Sequence, residues 1–171
     1  MKLLRLLSLV VLAGCGRPFW HIPQAPPQSM ANPPRSVAEI AAIEVYQDGC
    51  LGTCPVYRFA IASTGLARYE GLCYTPILGT YEAQADVATF RILAGSLLAS
   101  DFFQTDSIVN LVLDAPSTSV TVTLADGRSR LVQYGPFRRE YLPELTRLLS
   151  VLRWQPVGPR PTLDRYAHCA T

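Results

Sequence analysis

The sequence predicts an α+β domain: an antiparallel sheet of about five strands with two amphipathic helices packed on it, in the order strands, helix, strands, helix. Three observations predict it. Segments between 40 and 71 and between 119 and 134 alternate apolar and polar residues with the period of two that suits a half-buried strand. The period becomes helical at 85–99 and again at 141–153. Turn residues, Ser63-Thr64-Gly65 and Asp126-Gly127, sit between alternating runs.

Ile40 to Tyr46 is apolar and strand-like. Val56 to Ala62 sets Tyr57, Phe59 and Ile61 on one face and Arg58 on the other. Leu66 to Gly71 follows the turn, with Arg68 and Glu70 opposite Tyr69, and 77–82 reads as a further short strand. Val87, Phe90, Leu93, Leu97 and Leu98 then form one helical stripe. Asp101-Phe102-Phe103 ends that helix as a turn that buries both rings. A long loop, 104–117, carries Asp114-Ala115-Pro116. Ser119 to Leu124 turns Val120, Val122 and Leu124 inward, and Arg128 to Tyr134 returns after the hairpin turn. Leu142, Leu145, Leu149 and Leu152 make the second stripe, with Pro143 in a first turn that tolerates it.

The first fifteen residues give an address. Lys2 and Arg5 precede an apolar run, Leu6 to Leu12, and small residues then lead to Cys15. This is the plan of a secretory signal, and the run is too short to span a bilayer, which needs about twenty residues. Leu12-Ala13-Gly14-Cys15 resembles the bacterial lipobox. That resemblance implies export, removal of 1–14, acylation of Cys15, and a membrane partner reached through its lipid. Gly16, where an inner-membrane retention signal would place Asp, implies the outer membrane in a two-membrane envelope. Residues 15–36 hold six prolines and read as an extended tether. Phe19, Trp20 and Ile22 lie close to the lipid. The domain is expected over 37–154, and 155–171 reads as a Pro-rich tail.

Without 1–14 the chain has thirteen Arg, no Lys, and thirteen acidic residues. A balanced chain with no basic block excludes nucleic acid as a partner. With Cys15 acylated, Cys50, Cys54, Cys73 and Cys169 form an even set in an oxidising compartment. Two disulfides are expected, and the sequence leaves three pairings open.

Gly49-Cys50-Leu51-Gly52-Thr53-Cys54-Pro55-Val56-Tyr57 resembles the hallmark of an exported bacterial family known as a domain of unknown function, number sixty-four thirty-eight. The likeness runs over about 40–154. It takes in Asp101-Phe102-Phe103, Asp114-Ala115-Pro116, the second hairpin and Trp154. It implies an α+β envelope domain and a Cys50–Cys54 bridge, leaving Cys73 and Cys169 as the other pair. It implies no reaction.

Catalytic patterns are missing. There is no Gly-x-Ser-x-Gly, no His-Glu-x-x-His and no phosphate loop. The two histidines, His21 and His168, lie in the expected tails. Asp101, Asp106 and Asp114 flank one loop and read as turn and cap residues. The expectation is a lipid-anchored, non-enzymatic binding domain without cofactor, acting on an envelope protein, peptide or polymer. Thr53, Tyr57 and Asp114 are its candidate binding residues. The alternative is a thiol-dependent copper or redox protein, because Cys50-x-x-x-Cys54-Pro55 also resembles the copper segment of Sco-type chaperones. Cys50, Cys54 and His168 would be the ligands, with His21 a conceivable substitute.

Overall fold

The computed structural model describes residues 30–109, 111–136, 142–158 and 169. The signal segment, Cys15, His21, His168 and most of the tether and tail lie outside the described residues.

The fold is mostly β. One sheet of eight strands dominates, in the order β5-β7-β6-β1-β2-β3-β4-β8. The strands are β1 (Ile40–Gln47), β2 (Val56–Ala62), β3 (Leu66–Cys73), β4 (Gly79–Gln84), β5 (Ile108–Val109), β6 (Thr118–Leu124), β7 (Ser129–Tyr134) and β8 (Gln155–Pro156). The expected α+β fold, two helices on about five antiparallel strands, is therefore corrected. The sheet is wider than predicted, and it is mixed because β5 runs parallel to β7. The two added edge strands are two residues each, too short for any period to reveal. β5 lies within what reads as the loop 104–117, and β8 within what reads as the tail. Helix is the minority: α1 (Val87–Ala99), α2 (Leu142–Val151) and a 3₁₀ turn at Val37–Glu39.

Register sorts the side chains between the two faces. Val45, Phe59, Tyr69 and Tyr81 lie side by side across β1 to β4. Val120 and Val132 continue that inner row across β6 and β7. α1 covers this face with Phe90, Leu93, Ala94 and Leu97, all buried. Asp86 starts the helix by accepting the Ala88 N–H at 2.8 Å. Phe102 and Phe103, packed edge to face with centroids 5.0 Å apart, close the end of the core beyond it. α2 adds Leu148, with Leu149 and Trp154 at the margin. Each buried aliphatic or phenyl group contributes about 1.5–3 kcal/mol.

The opposite face is polar. Tyr46, Arg58 and Glu70 lie in one row, and Glu44, Ala60, Arg68 and Glu82 in the next. Arg58 stands 5.3 Å from the centre of the Tyr46 ring, and Arg68 pairs with Glu82 at 3.8 Å.

Two ends of the sheet differ. The chain enters at one: Asn32 accepts from Arg128 Nη1 in the β6–β7 turn at 2.9 Å, and Ala125 N–H donates to Glu39 at 2.8 Å. The β1–β2, β3–β4 and β5–β6 connections gather at the far end. β1 crosses between the ends, roughly 26 Å for eight residues. At the far end Gly71 lies so close to the Ile77 carbonyl that a Cβ would collide with it. That contact folds the β3–β4 loop back over its own strand.

Candidate functional site at the disulfide end of the sheet

β1 and β6 are far apart in sequence and neighbours in the sheet. Their adjacency brings together the loop that follows β1 and the loop that precedes β6. Asp48 N–H donates to the Ser117 carbonyl at 2.8 Å. Gln47 Nε2 donates to the same carbonyl at 3.1 Å, and Thr118 Oγ1 donates to Gln47 Oε1 at 2.9 Å. Gln133 Nε2 completes the clamp on Ser117 Oγ at 3.1 Å. Ser117 and Thr118 are buried, so these bonds satisfy groups that would otherwise be costly to desolvate.

Beyond the clamp, Leu51 N–H donates to the Asp114 carbonyl at 3.1 Å. Asp114 holds a left-handed backbone, φ 61°, a conformation Asp tolerates better than most residues. Cys50 and Cys54 lie at disulfide distance, Cα atoms 5.6 Å apart, and close the turn around Gly52, whose φ is 142°. The two loops enclose a shallow groove of about 400 Å³ lined by Gly49, Cys50, Leu51, Asp114 and Ala115. On its rim Leu51 is 83 % exposed and Leu113 90 %.

The second cysteine pair lies at the same end of the sheet. Cys73, at the end of β3, meets Cys169 with Cα atoms 5.6 Å apart. Tyr74 OH donates to the Cys169 carbonyl. Both pairs thus tie down the end of the sheet that the connections make.

The structure separates the three candidate binding residues. Asp114 lines the groove, and Thr53 is exposed on the stapled turn. Tyr57 instead lies on the inner face, its ring 5.8 Å from Tyr69, which in turn is 5.8 Å from Trp154. It anchors the strand that leaves the turn. Leu51 and Leu113 were not foreseen as site residues. The available signal was local: Leu51 stands between Cys and Gly in a turn, and Leu111-Val112-Leu113 precedes Asp-Ala-Pro with no alternating pattern to bury it.

Of the alternative ligand set, Cys50 and Cys54 lie at disulfide distance from each other, and His168 and His21 lie outside the described residues. Among the described residues no group of three His, Cys, Asp or Glu is arranged to hold a metal.

Glu44, on the polar face, is the carboxylate that burial disturbs. Burial holds it above its ordinary value of 4.5, and Arg58 only partly opposes this. A carboxylate whose folded value is raised costs stability when ionised; the cost shrinks as pH falls through the raised value and vanishes below the ordinary one. Glu44→Gln is therefore expected to raise the thermal midpoint at pH 7 and to leave it unchanged below about pH 4. Paired melting curves at the two pH values check this. An equal shift at both would assign the effect to packing.

Fold and site together define a mostly β, single-sheet domain with two cysteine pairs and a pair of locked loops at one end. The chain belongs to the family described as a domain of unknown function (DUF6438), whose profile matches residues 41–153. The match takes in the stapled turn, Asp114 and both helices, and it stops short of Cys169. No curated protein matches the chain.

Proposed function

We propose that this protein is a lipid-anchored domain of a bacterial cell envelope that acts by binding, through the groove and rim where the Cys50–Cys54 turn meets loop 111–115. One observation carries the binding role. Leu51 and Leu113 are almost fully exposed, yet their backbones are fixed by the cysteine pair and by the Leu51–Asp114 hydrogen bond. With Leu111 and Val112 beside them, these side chains form an exposed apolar group on a fixed backbone, which suits a contact surface.

The anchor rests on Leu12-Ala13-Gly14-Cys15 behind its apolar run. Among the described residues no helix is long and apolar enough to cross a membrane. Acyl chains at Cys15 would supply a lasting attachment, since one chain alone gives only reversible binding. The described chain enters the sheet at the end opposite the groove, so the segment that leads to the anchor does not occupy the groove's end of the sheet.

Two measurements test this. Radiolabelled palmitate should enter the wild-type chain and not Cys15→Ser, and the variant should leave the membrane fraction. A photo-crosslinking residue at Leu113 should give adducts in intact envelopes, and one at Gly127, in the β6–β7 turn, should not. Equal or absent adducts at both positions would refute the binding role. Thiol titration with metal analysis separates the copper alternative: free Cys50 and Cys54 with stoichiometric copper would replace this reading.

A further inference from the structure

We infer that the occupant of this rim is a cationic, aliphatic protein segment: Lys or Arg set among Leu, Ile or Val. The inference deepens the binding role proposed above and rests on it.

Apolar exposure is concentrated at the disulfide end. Leu51, Leu111, Val112 and Leu113 crowd the two locked loops, and Tyr74 and Leu78 extend the rim along the β3–β4 connection. The connections at this end, 48–55, 74–78 and 110–117, contain no Lys or Arg and two Asp, Asp48 and Asp114. Asp114 lines the groove, and Asp48 is exposed at its margin. Each is fixed by the loops: Asp48 Oδ1 accepts Gly49 N–H at 2.8 Å, and the Asp114 carbonyl accepts Leu51 N–H.

This charge pattern chooses among occupants. Bilayer insertion deep enough to cover Leu113 would carry the adjacent Asp114 carboxylate into the interface, against the negative potential of anionic lipid. A second copy meeting the same patch would set acidic loops against acidic loops. An uncharged apolar partner would desolvate Asp48 and Asp114 with nothing in return. A segment with aliphatic side chains for the leucines and a cation for each carboxylate meets every requirement, and charge would set its orientation and its rate of encounter. The patch is small, which suits a transient contact.

The test uses the full chain in phosphatidylcholine nanodiscs and labelled amphipathic peptides: Leu–Lys, Leu–Glu and Ser–Lys. Anisotropy titrations should show the Leu–Lys peptide binding and the other two failing. Leu113→Ser should weaken that binding about tenfold. Asp114→Asn, which keeps the left-handed backbone, should weaken it about threefold at low salt, and that loss should disappear at high salt. Leu113 is so exposed that its replacement leaves the fold intact. Equal binding of the Leu–Glu peptide, no effect of Leu113→Ser, slowed hydrogen exchange of 111–115 by lipid alone, or self-association through this loop would each overturn the inference. Adducts at Leu113 to a segment without basic residues would overturn the partner's chemistry and leave the binding role standing. No adducts would remove both.

Discussion

Replacing Cys73 and Cys169 together by serine is expected to lower the stability of the domain by about 4–5 kcal/mol, against about 2 kcal/mol for the Cys50, Cys54 double variant. The difference lies in the unfolded chain. Cys73 and Cys169 are 96 residues apart, so their bond removes far more conformational freedom than a bond between residues four apart. The folded state adds a second reason. β8 pairs with β4 only at Tyr81–Pro156 and Glu82–Gln155, extended by the Val157 N–H bond to Thr80. Without the bond to Cys169 the segment after β8 loses its hold at Cys73, and an edge of the sheet becomes available for wrong pairing. Guanidinium unfolding of the two double variants, compared at their midpoints, checks the order. Equal losses would show that the long bond does not restrict the unfolded chain. If the groove binds as proposed, binding should reverse the ranking: the Cys50, Cys54 variant frees Leu51 and should lose more binding than it loses stability.

Local alternation made the middle of the fold legible. β2 and β3 are antiparallel and half-buried, so Tyr57, Phe59 and Ile61 read as one face from sequence, and Phe59 and Ile61 are buried. α1 was readable from Phe90, Leu93 and Leu97, although Val87 at its start remains part-exposed. The edges were not legible. β5 owes its existence to Gln133 and Gly135 donating to Ser107 and Val109, and β8 to a single two-residue pairing. Neither has a pattern of its own, and a parallel pair adds no turn signal to mark it. The eight-stranded width and the mixed character of the sheet followed from these unseen strands. The site was legible in pieces. The cysteine turn and Asp114 each stood out, but the Leu51–Asp114 bond depends on β1 lying beside β6, a long-range pairing that no local pattern encodes.

Arg130 illustrates the same conflict inside one strand, and its removal carries the second large effect. Its position in β7 assigns it to the inner face with Val132 and Tyr134; its charge argues for the outside. Position prevails, and the residue is 2 % exposed, opposite Val122. Its guanidinium reaches the segment that leads into β5: Nη2 donates to the Thr105 carbonyl and Nη1 to Ser107 Oγ at 3.5 Å. Arg130→Ala is expected to cost about 3–5 kcal/mol, because it opens a cavity and strips a part-buried carbonyl of a charged donor. Arg128→Ala, in an exposed pair with Asp126, should stay within about 0.5 kcal/mol. Arg130→Met separates the causes, since it restores much of the volume without the donors. If hydrogen bonding to 105–107 is what matters, Arg130→Met remains destabilised and speeds amide exchange at Gln133 and Gly135, whose acceptors lie on the loosened segment. The binding proposed at Leu113 should then weaken too, because loop 111–115 follows that segment closely in the chain. Recovery of wild-type stability by Arg130→Met would instead make the residue a filler of space, with the rim held by the Gln47–Ser117 clamp, the cysteine pair and the Leu51–Asp114 hydrogen bond.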